Sequence, residues 1–279
     1  PWDDALRTVR LEREDLAIHP DRWDTRWRLG FVDELLQDPL DASRVSRDLF
    51  EVLKSYPSSA DLVRLSADRL GISISTPRLP ASSTPPHPST LLLSALRQAQ
   101  PLLDRSVASL RPAERQQVLA AWTAVIQNES DPAPLEAALD PSGRFDQAAL
   151  FSAAALLAEA ADRAIPFLSS TTVPASADLR VMTGDSVTLD SATLASTPIL
   201  LNFSRRTLYS GLPAAAEEGQ IRLVIDFSDE VILESSAPAG GAGSGRLGIG
   251  LMYIANPKAR VSLRTQDFSQ GAGVFGIGG

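Results

Sequence analysis

The chain has 279 residues, 44% of them hydrophobic, and its 34 acidic and 26 basic residues give a net charge of −8. This length is enough for two domains with separate cores, and the apolar content is typical of a globular protein. The acidic balance argues against a nucleic-acid surface. The absence of cysteine excludes disulfides and thiolate chemistry, and no segment has the roughly 18 consecutive apolar residues of a membrane span.

Residues 1–72 have a helical pattern, because their apolar side chains recur three or four positions apart. Proline and glycine interrupt this pattern several times, which predicts short antiparallel helices rather than one long helix. Ser58 or Ser59 is expected to cap the fourth helix. The interruptions fall at Pro20, Pro39, Pro57 and Gly71.

Two segments of this region resemble the tetratricopeptide repeat. Trp27-Arg-Leu-Gly30 matches the opening of the first helix of that repeat, and the segment from Phe50 to Pro57 matches the proline that closes the second. The resemblance implies a helical-hairpin domain over residues 1–72. A generic array of helical hairpins is the alternative interpretation.

A segment rich in proline and serine separates this domain from the next helical one. Residues 73–89 contain few apolar side chains, so we expect a linker or an extended arm. Helical periodicity then returns, and we predict helices at 90–110, 112–127 and 146–168 within a second helical domain at 90–170.

The periodicity changes from about 3.6 to 2 near Ser176, which predicts a β region over residues 176–279. Three strands share one pattern, Asp185-Ser-Val-Thr-Leu189, Asp229-Glu-Val-Ile-Leu233 and Ala259-Arg-Val-Ser-Leu263. The predicted strands are at 179–181, 187–189, 199–203, 221–227, 231–233 and 261–263. The fold class is therefore α+β and multidomain, with a helical N-terminal half followed by an all-β C-terminal region.

Residues 223–250 and 251–278 form a tandem repeat of equal length. The copies end in Gly243-Ser-Gly-Arg-Leu-Gly-Ile-Gly250 and Gly271-Ala-Gly-Val-Phe-Gly-Ile-Gly278. A fixed period of this size is typical of stacked architectures, in which each unit buries its apolar face on its neighbour. We therefore expect Leu247 to stack on Phe275 and Ile249 on Ile277. Because the chain stops one residue after the second copy, we expect either a piece of a longer stack or an end that something else covers.

The second copy resembles a group of exported bacterial β-helix repeats. Asp267-Phe-Ser-Gln-Gly-Ala-Gly273 matches one segment of those repeats closely, whereas Asn256-Pro-Lys-Ala-Arg260 replaces their acidic turn. The resemblance implies a parallel β-solenoid. It implies no catalytic activity.

The glycine motifs also satisfy the dinucleotide-binding pattern G-x-G-x-x-G at Gly243 and Gly271. That pattern forms a phosphate cradle only where it opens a helix. The first copy is followed by Leu251-Met-Tyr-Ile, which predicts a strand. We therefore predict corners between strands and no cofactor.

Several acidic residues and both histidines are candidates for catalytic or metal-binding groups. Asp226, Asp229 and Glu230 could share one rim as acid, base or calcium ligands of a carbohydrate-active enzyme, but solvated turn residues are the favoured interpretation. Asp185 and Asp190 are interpreted in the same way. The histidines, His19 and His87, lack the spacing of a zinc pair or a catalytic triad.

The favoured function is a non-enzymatic scaffold subunit of an exported bacterial assembly. It would bind protein partners or copies of itself through its helical surface, its proline-rich arm and an open solenoid end. The start at Pro1, the lack of cysteine and the linker favour export to the periplasm, outer envelope or exterior. A polysaccharide lyase or hydrolase on a β-helix is the alternative. The candidate partner-binding residues are Trp2, Trp23, Trp27, Phe268 and Phe275.

Overall fold

The structure is a computed structural model that is α+β in class, with parallel sheets confined to the C-terminal half. The chain divides into two compact units, residues 1–73 and residues 74–279. The residues that the structure describes are 2–17, 35–55, 58–75, 79, 87–126, 138, 143–168, 173–235, 242–265, 273–274 and 277–278.

The described part of the first unit is helical. Its α-helices are α1 (Trp2–Val9), α2 (Ala42–Ser55) and α3 (Ser59–Arg69), with 3-10 turns at Glu14–Leu16 and Pro39–Asp41. The Ser58 hydroxyl accepts a hydrogen bond from the Asp61 amide at 3.2 Å, which confirms the predicted cap. After α3, Gly71 takes a φ of +68°, a conformation that glycine adopts without strain.

The second unit begins with three long helices, α4 (Pro88–Val107), α5 (Pro112–Ile126) and α6 (Gln147–Leu168). These bounds lie within three residues of the predicted ones. The alanine-rich α6 packs against α4 and buries side chains on nearly every face. It is therefore a core helix of this unit, with small side chains that allow close packing on several sides.

Eleven strands form three parallel sheets within the described residues. Sheet A has the order β1-β3-β5-β8-β11, sheet B the order β2-β4-β6-β9, and sheet C pairs β10 with β7. A short helix, α7 (Ser191–Ala195), interrupts the predicted all-β region. The strands are β1 (Leu179–Met182), β2 (Ser186–Leu189), β3 (Ile199–Asn202), β4 (Arg206–Tyr209), β5 (Ile221–Asp226), β6 (Glu230–Ser235), β7 (Gly245–Arg246), β8 (Ile249–Ile254), β9 (Arg260–Thr265), β10 (Gly273–Val274) and β11 (Ile277–Gly278).

The chain alternates between sheets A and B, so neighbouring strands in each sheet come from successive passages. In sheet A, Leu179 lies opposite Ile199, Ile199 opposite Leu223, and Leu223 opposite Leu251. Equivalent positions of each passage therefore lie side by side, and like side chains stack in rows.

The central strands of sheet A, β3 and β5, are buried on both faces. One face of sheet A packs against sheet B, where Leu200 and Val224 join Val231 and Leu233 in a single apolar cluster. Alternate residues on the other face are also fully buried, among them Ile199, Leu201 and Ile225. The helices contact the sheets at β11, which α6 touches, and at the turn before β5, where the Gln100 side chain donates to the Gly219 carbonyl at 2.9 Å.

The 28-residue repeat is confirmed in sheets A and C. Ile249 pairs with Ile277, as predicted, and Gly245 pairs with Gly273. Phe275 lies outside the described residues. Sheet B departs from the period because Glu230 pairs with Arg260, 30 residues later. The second copy therefore has two extra residues between its sheet A and sheet B strands.

Two glycines of the first copy allow close backbone approach. A methyl group at Gly248 would collide with the Glu217 carbonyl, and one at Gly250 would collide with the carbonyls of Ala214 and Ser244. Gly248, the third glycine of the first G-x-G-x-x-G pattern, is thus required for close packing of the backbone. None of the described helices combines the length and apolar character that a membrane crossing requires.

Candidate functional site

A cluster of polar side chains lies between sheets A and B, where an apolar interior would be expected. All its members are at most 2% exposed to solvent. They come from the ends of β3 and β5, from the turns that follow, and from β4. The members are Asn202, Ser204, Thr207, Tyr209, Asp226 and Ser228.

Asp226 is the charged centre of this cluster. Its carboxylate accepts hydrogen bonds from the Tyr209 hydroxyl at 2.5 Å, the Asn202 amide at 3.0 Å and the Ser228 backbone amide at 2.7 Å. Burial and the nearby carboxylate raise the pKa of Tyr209 well above its usual value. Tyr209 therefore keeps its proton and remains a donor.

The three aliphatic hydroxyl groups of the cluster, those of Ser204, Thr207 and Ser228, complete the network. Thr207 Oγ1 lies 2.7 Å from both Ser204 Oγ and Ser228 Oγ, and Ser204 donates to the Asn202 side-chain oxygen at 2.8 Å. Among the described residues, Thr197 Oγ1 is the one buried side-chain polar atom without a partner. The polar atoms of the cluster are thus satisfied by one another, as a stable buried network requires.

The sequence contains a signal for this cluster that the strand analysis missed. Asn202-Phe203-Ser204 and Asp226-Phe227-Ser228 are equivalent triplets, 24 residues apart, each beginning at the last residue of an apolar strand. In both, the first and third residues point inward and the phenylalanine points outward. The outward rings of Phe203 and Phe227 stack, with centroids 4.9 Å apart and planes 8° from parallel.

These stacked rings form part of a groove of about 550 Å³ at the end of α6. The groove is open and largely apolar. Its one polar side chain, Asn256, already donates to the Ser228 carbonyl and to Asp229. The lining residues are Ile165, Pro166, Phe203, Phe227, Ala255, Asn256 and Pro257.

The strand β9 forms the last edge of sheet B and exposes residues of the inward-facing row. Val261 is 43% exposed and Leu263 is 46% exposed, whereas their partners on β6, Val231 and Leu233, are 0% and 4% exposed. No described strand pairs with the outer edge of β9. We call the uncovered edge formed by residues 260–265 the β9 edge.

Charges of alternating sign follow the outer face of sheet B. Arg206 forms an ion pair with Glu230 at 3.2 Å, and Glu230 lies opposite Arg260 in the next strand. Arg264 pairs with Glu234 at 3.3 Å. The two charged side chains at the β9 edge are therefore both cationic.

The structure does not bring the three predicted carboxylates onto one rim. Asp226 is buried between the sheets, whereas Asp229 is exposed and lies 3.9 Å from Arg205. Glu230 is engaged with Arg206 on the outer face. A corner of the chain separates Asp226 from Asp229, so one faces inward and the other outward. In addition, Glu230 aligns with Arg260 and not, as a constant 28-residue spacing predicts, with Lys258.

The other weighed residues have local roles where the structure describes them. Asp190 caps α7 by accepting from the Thr193 amide at 2.8 Å. Hydrogen bonds from the Thr193 side chain and from the Thr193 backbone amide lower the pKa of Asp190. His87 caps α4 and lies 2.7 Å from the Ser89 hydroxyl. His19 lies outside the described residues.

Of the predicted partner-binding residues, only Trp2 falls in a described element, as the first residue of α1. The remaining four, Trp23, Trp27, Phe268 and Phe275, lie outside the described residues.

Within the described part of the chain, no group of three or more histidine or acidic side chains is arranged to hold a metal ion. Comparisons with protein-family models, with curated proteins and with solved structures give no match to this chain.

Proposed function

We propose that the protein is a non-enzymatic scaffold subunit of an exported bacterial assembly and that it binds a protein partner at the β9 edge. The observation that carries this proposal is the exposure of Val261 and Leu263 in a row whose earlier members are buried. Edge strands with exposed apolar residues favour pairing with another chain, because their backbone donors and acceptors have no strand partner.

The proposed architecture is a parallel β-solenoid. Its support is the alternation between sheets A and B and the aligned rows that join successive passages. In a solenoid each coil is stabilised chiefly by its neighbours, so a coil whose edge strand has no strand partner has an incomplete interior. The β9 edge has this character.

The charge pattern supports the same interpretation. Natural proteins protect edge strands in several ways, among them charged side chains on the strand and charges that point inward. Here the cations Arg260 and Arg264 occupy outward positions, while the inward positions hold Val261 and Leu263. The edge is thus charged on its outer face, and its inner face offers an apolar surface to a partner.

Export is proposed on the sequence alone. The segment 267–273 resembles repeats of exported bacterial proteins, and the cysteine-free composition is compatible with either redox environment. Cell fractionation of the producing bacterium would locate the chain. Recovery in the cytoplasm would contradict this part of the proposal.

Site-specific photo-crosslinking in that bacterium tests the binding surface. A photoreactive residue in place of Ser262, on β9, is expected to give an adduct of defined mass with another polypeptide. The same residue in place of exposed Arg97, on α4, is the control position and is expected to give none.

The adduct should disappear in the double variant V261K/L263K. For the control variant S262K, the photoreactive residue is moved to position 260, and the adduct should persist. Circular dichroism would verify that the variants fold. The absence of an adduct from every β9 position would overturn the proposed function.

A further inference from the structure

The β9 strand already binds one strand, and that pairing defines what its free edge can accept. On its covered side it pairs in parallel with β6, whose sequence is Glu230-Val231-Ile232-Leu233-Glu234. Val231 lies opposite Val261 and Leu233 opposite Leu263, so apolar residues align in the inward row. The acidic residues of β6 lie opposite the arginines of β9.

The two edges of β9 offer the same side chains to a neighbour. In a parallel sheet, paired residues lie side by side on the same face, so a strand added at the free edge meets the same row positions. The inward row requires apolar residues two positions apart. In the outward row the charge alternates in sign from Arg206 to Glu230 to Arg260. A strand added next to Arg260 should therefore carry acidic residues in this row.

Resting on the proposed function, we infer that the β9 edge accepts a parallel β-strand with an acidic-apolar-any-apolar-acidic pattern, supplied by a different protein. Its two apolar side chains cover Val261 and Leu263. Its two carboxylates pair with Arg260 and Arg264. The occupant thus has the side-chain chemistry of β6, and its backbone extends sheet B by one strand.

A second copy of this chain fits the edge less well. Its free edge in sheet B is β2, where Leu189 is already fully buried and therefore has no surface left to offer. Ser186, which would lie opposite Arg260 in the register of the sheet, carries no charge. A second copy would thus place no carboxylate opposite Arg260, and it would offer less apolar surface to Val261 and Leu263.

Pairing of two β9 edges with each other is also disfavoured. Two identical strands related by a twofold axis run antiparallel. The register that places Val261 opposite Leu263 then places Arg260 opposite Arg264, and like charges directly opposite each other are destabilising.

Peptide binding to the purified full chain tests this inference. The probe is a fluorescent peptide that carries residues 229–235, Asp-Glu-Val-Ile-Leu-Glu-Ser, between glycine-serine tails. The control peptide has lysine at both glutamate positions and is otherwise identical. We expect the acidic peptide to bind about tenfold more tightly, as two favourable ion pairs replace two repulsive ones.

A protein variant with reversed charges at β9 is the matched control for the two peptides. The R260E/R264E variant should prefer the lysine peptide, and V261K/L263K should bind neither. Raising the salt concentration should reduce the difference between the affinities of the native protein for the two peptides, because exposed ion pairs are screened. Because the peptide swap alone leaves the protein unchanged, the test does not depend on the folding of a variant.

Equal binding of the two peptides, or no binding of either, would overturn the inference. Self-association in analytical ultracentrifugation that the acidic peptide fails to displace would overturn it in favour of a second copy. If crosslinked adducts form at β9 in cells but the peptides are not distinguished, the proposed function stands and this inference fails. If the peptides are distinguished but no adduct forms in cells, the proposed function fails alone.

Discussion

Tyr209 on β4 donates a hydrogen bond of 2.5 Å to Asp226 on β5 and thereby joins the interior of sheet B to that of sheet A. Both residues are fully buried. A buried carboxylate is costly unless its oxygens are paired, so Asp226 depends on this donor together with Asn202 and the Ser228 amide.

Removing the hydroxyl by Tyr209→Phe should lower the free energy of unfolding by about 1–3 kcal/mol, because a buried acceptor loses a partner. Chemical denaturation would measure the loss. Combining Tyr209→Phe with Asp226→Asn should give a coupling energy of about 0.5–3 kcal/mol in a double-mutant cycle. Strictly additive effects would mean that the two side chains do not interact in solution.

Leucines at equivalent positions of β6 and β9 should differ in their contribution to stability. Leu233 is 4% exposed, so Leu233→Ala should cost about 2–5 kcal/mol through lost burial and a residual cavity. Leu263 is 46% exposed, and Leu263→Ala should cost less than about 1 kcal/mol in the isolated chain. Both are measured by denaturation at low protein concentration. Equal losses would indicate that the β9 edge is covered.

Gly250→Ala should destabilise the fold by about 1–3 kcal/mol or more, because the added methyl group collides with two backbone carbonyls. Gly219→Ala is the matched control. A methyl group at Gly219 meets no atom, but φ is +70°, so this change should cost only about 1 kcal/mol of backbone strain. A thermal unfolding scan compares the two variants. A smaller loss for Gly250→Ala than for Gly219→Ala would contradict the close approach at Gly250.

Glu114, at the start of α5, should make the free energy of unfolding fall as the solution becomes acidic. Hydrogen bonds from Arg111 and Arg144 lower its pKa from 4.5 to about 2. Because the folded state holds the carboxylate ionised, the contribution is fully present above about pH 4.5 and is lost as the pH falls towards 2.

Unfolding midpoints measured between pH 2 and pH 6 test this dependence. Glu114→Gln should be less stable than the native chain at pH 6 and should differ less from it at pH 2. Arg144→Gln, which removes one donor, should show a weaker form of the same change. A Glu114→Gln profile parallel to the native one would rule out the proposed linkage.

Much of the fold follows from local patterns. The predicted helices match α4, α5 and α6 closely. Their apolar residues recur with helical spacing, and prolines or turn residues lie at their boundaries. The three strands that share one pattern all lie in sheet B, as β2, β6 and β9. The fourth strand of that sheet, β4, was not predicted because Arg206-Thr-Leu-Tyr209 has no alternating pattern of aliphatic residues.

The interior polar cluster was harder to predict, and the reason is physical. Alternation along a strand indicates which residues share a face but not what covers that face. Asn202 and Asp226 end apolar strands, where a solvated turn is the usual expectation. Their burial depends on Tyr209 and Thr207, which belong to the strand that was missed. The equivalent Asn-Phe-Ser and Asp-Phe-Ser triplets were the available clue.

In the first three passages of the chain, the connections between sheets A and B differ in length on one side only. Three residues separate Met182 from Ser186, Asn202 from Arg206 and Asp226 from Glu230, so the corner from sheet A to sheet B has one length in the first three passages. The returns from sheet B to sheet A lengthen in steps of four positions, from ten to fourteen to eighteen. The aligned residues that bound them are Leu189 and Ile199, Tyr209 and Leu223, and Leu233 and Leu251.

The corner and the return therefore differ in how they can change. A fixed corner length holds the Asn-Phe-Ser and Asp-Phe-Ser triplets in register and so preserves the buried network. The variable returns absorb added residues without moving any row. We therefore expect an inserted peptide tag to be tolerated better at exposed positions of the returns than in the corner.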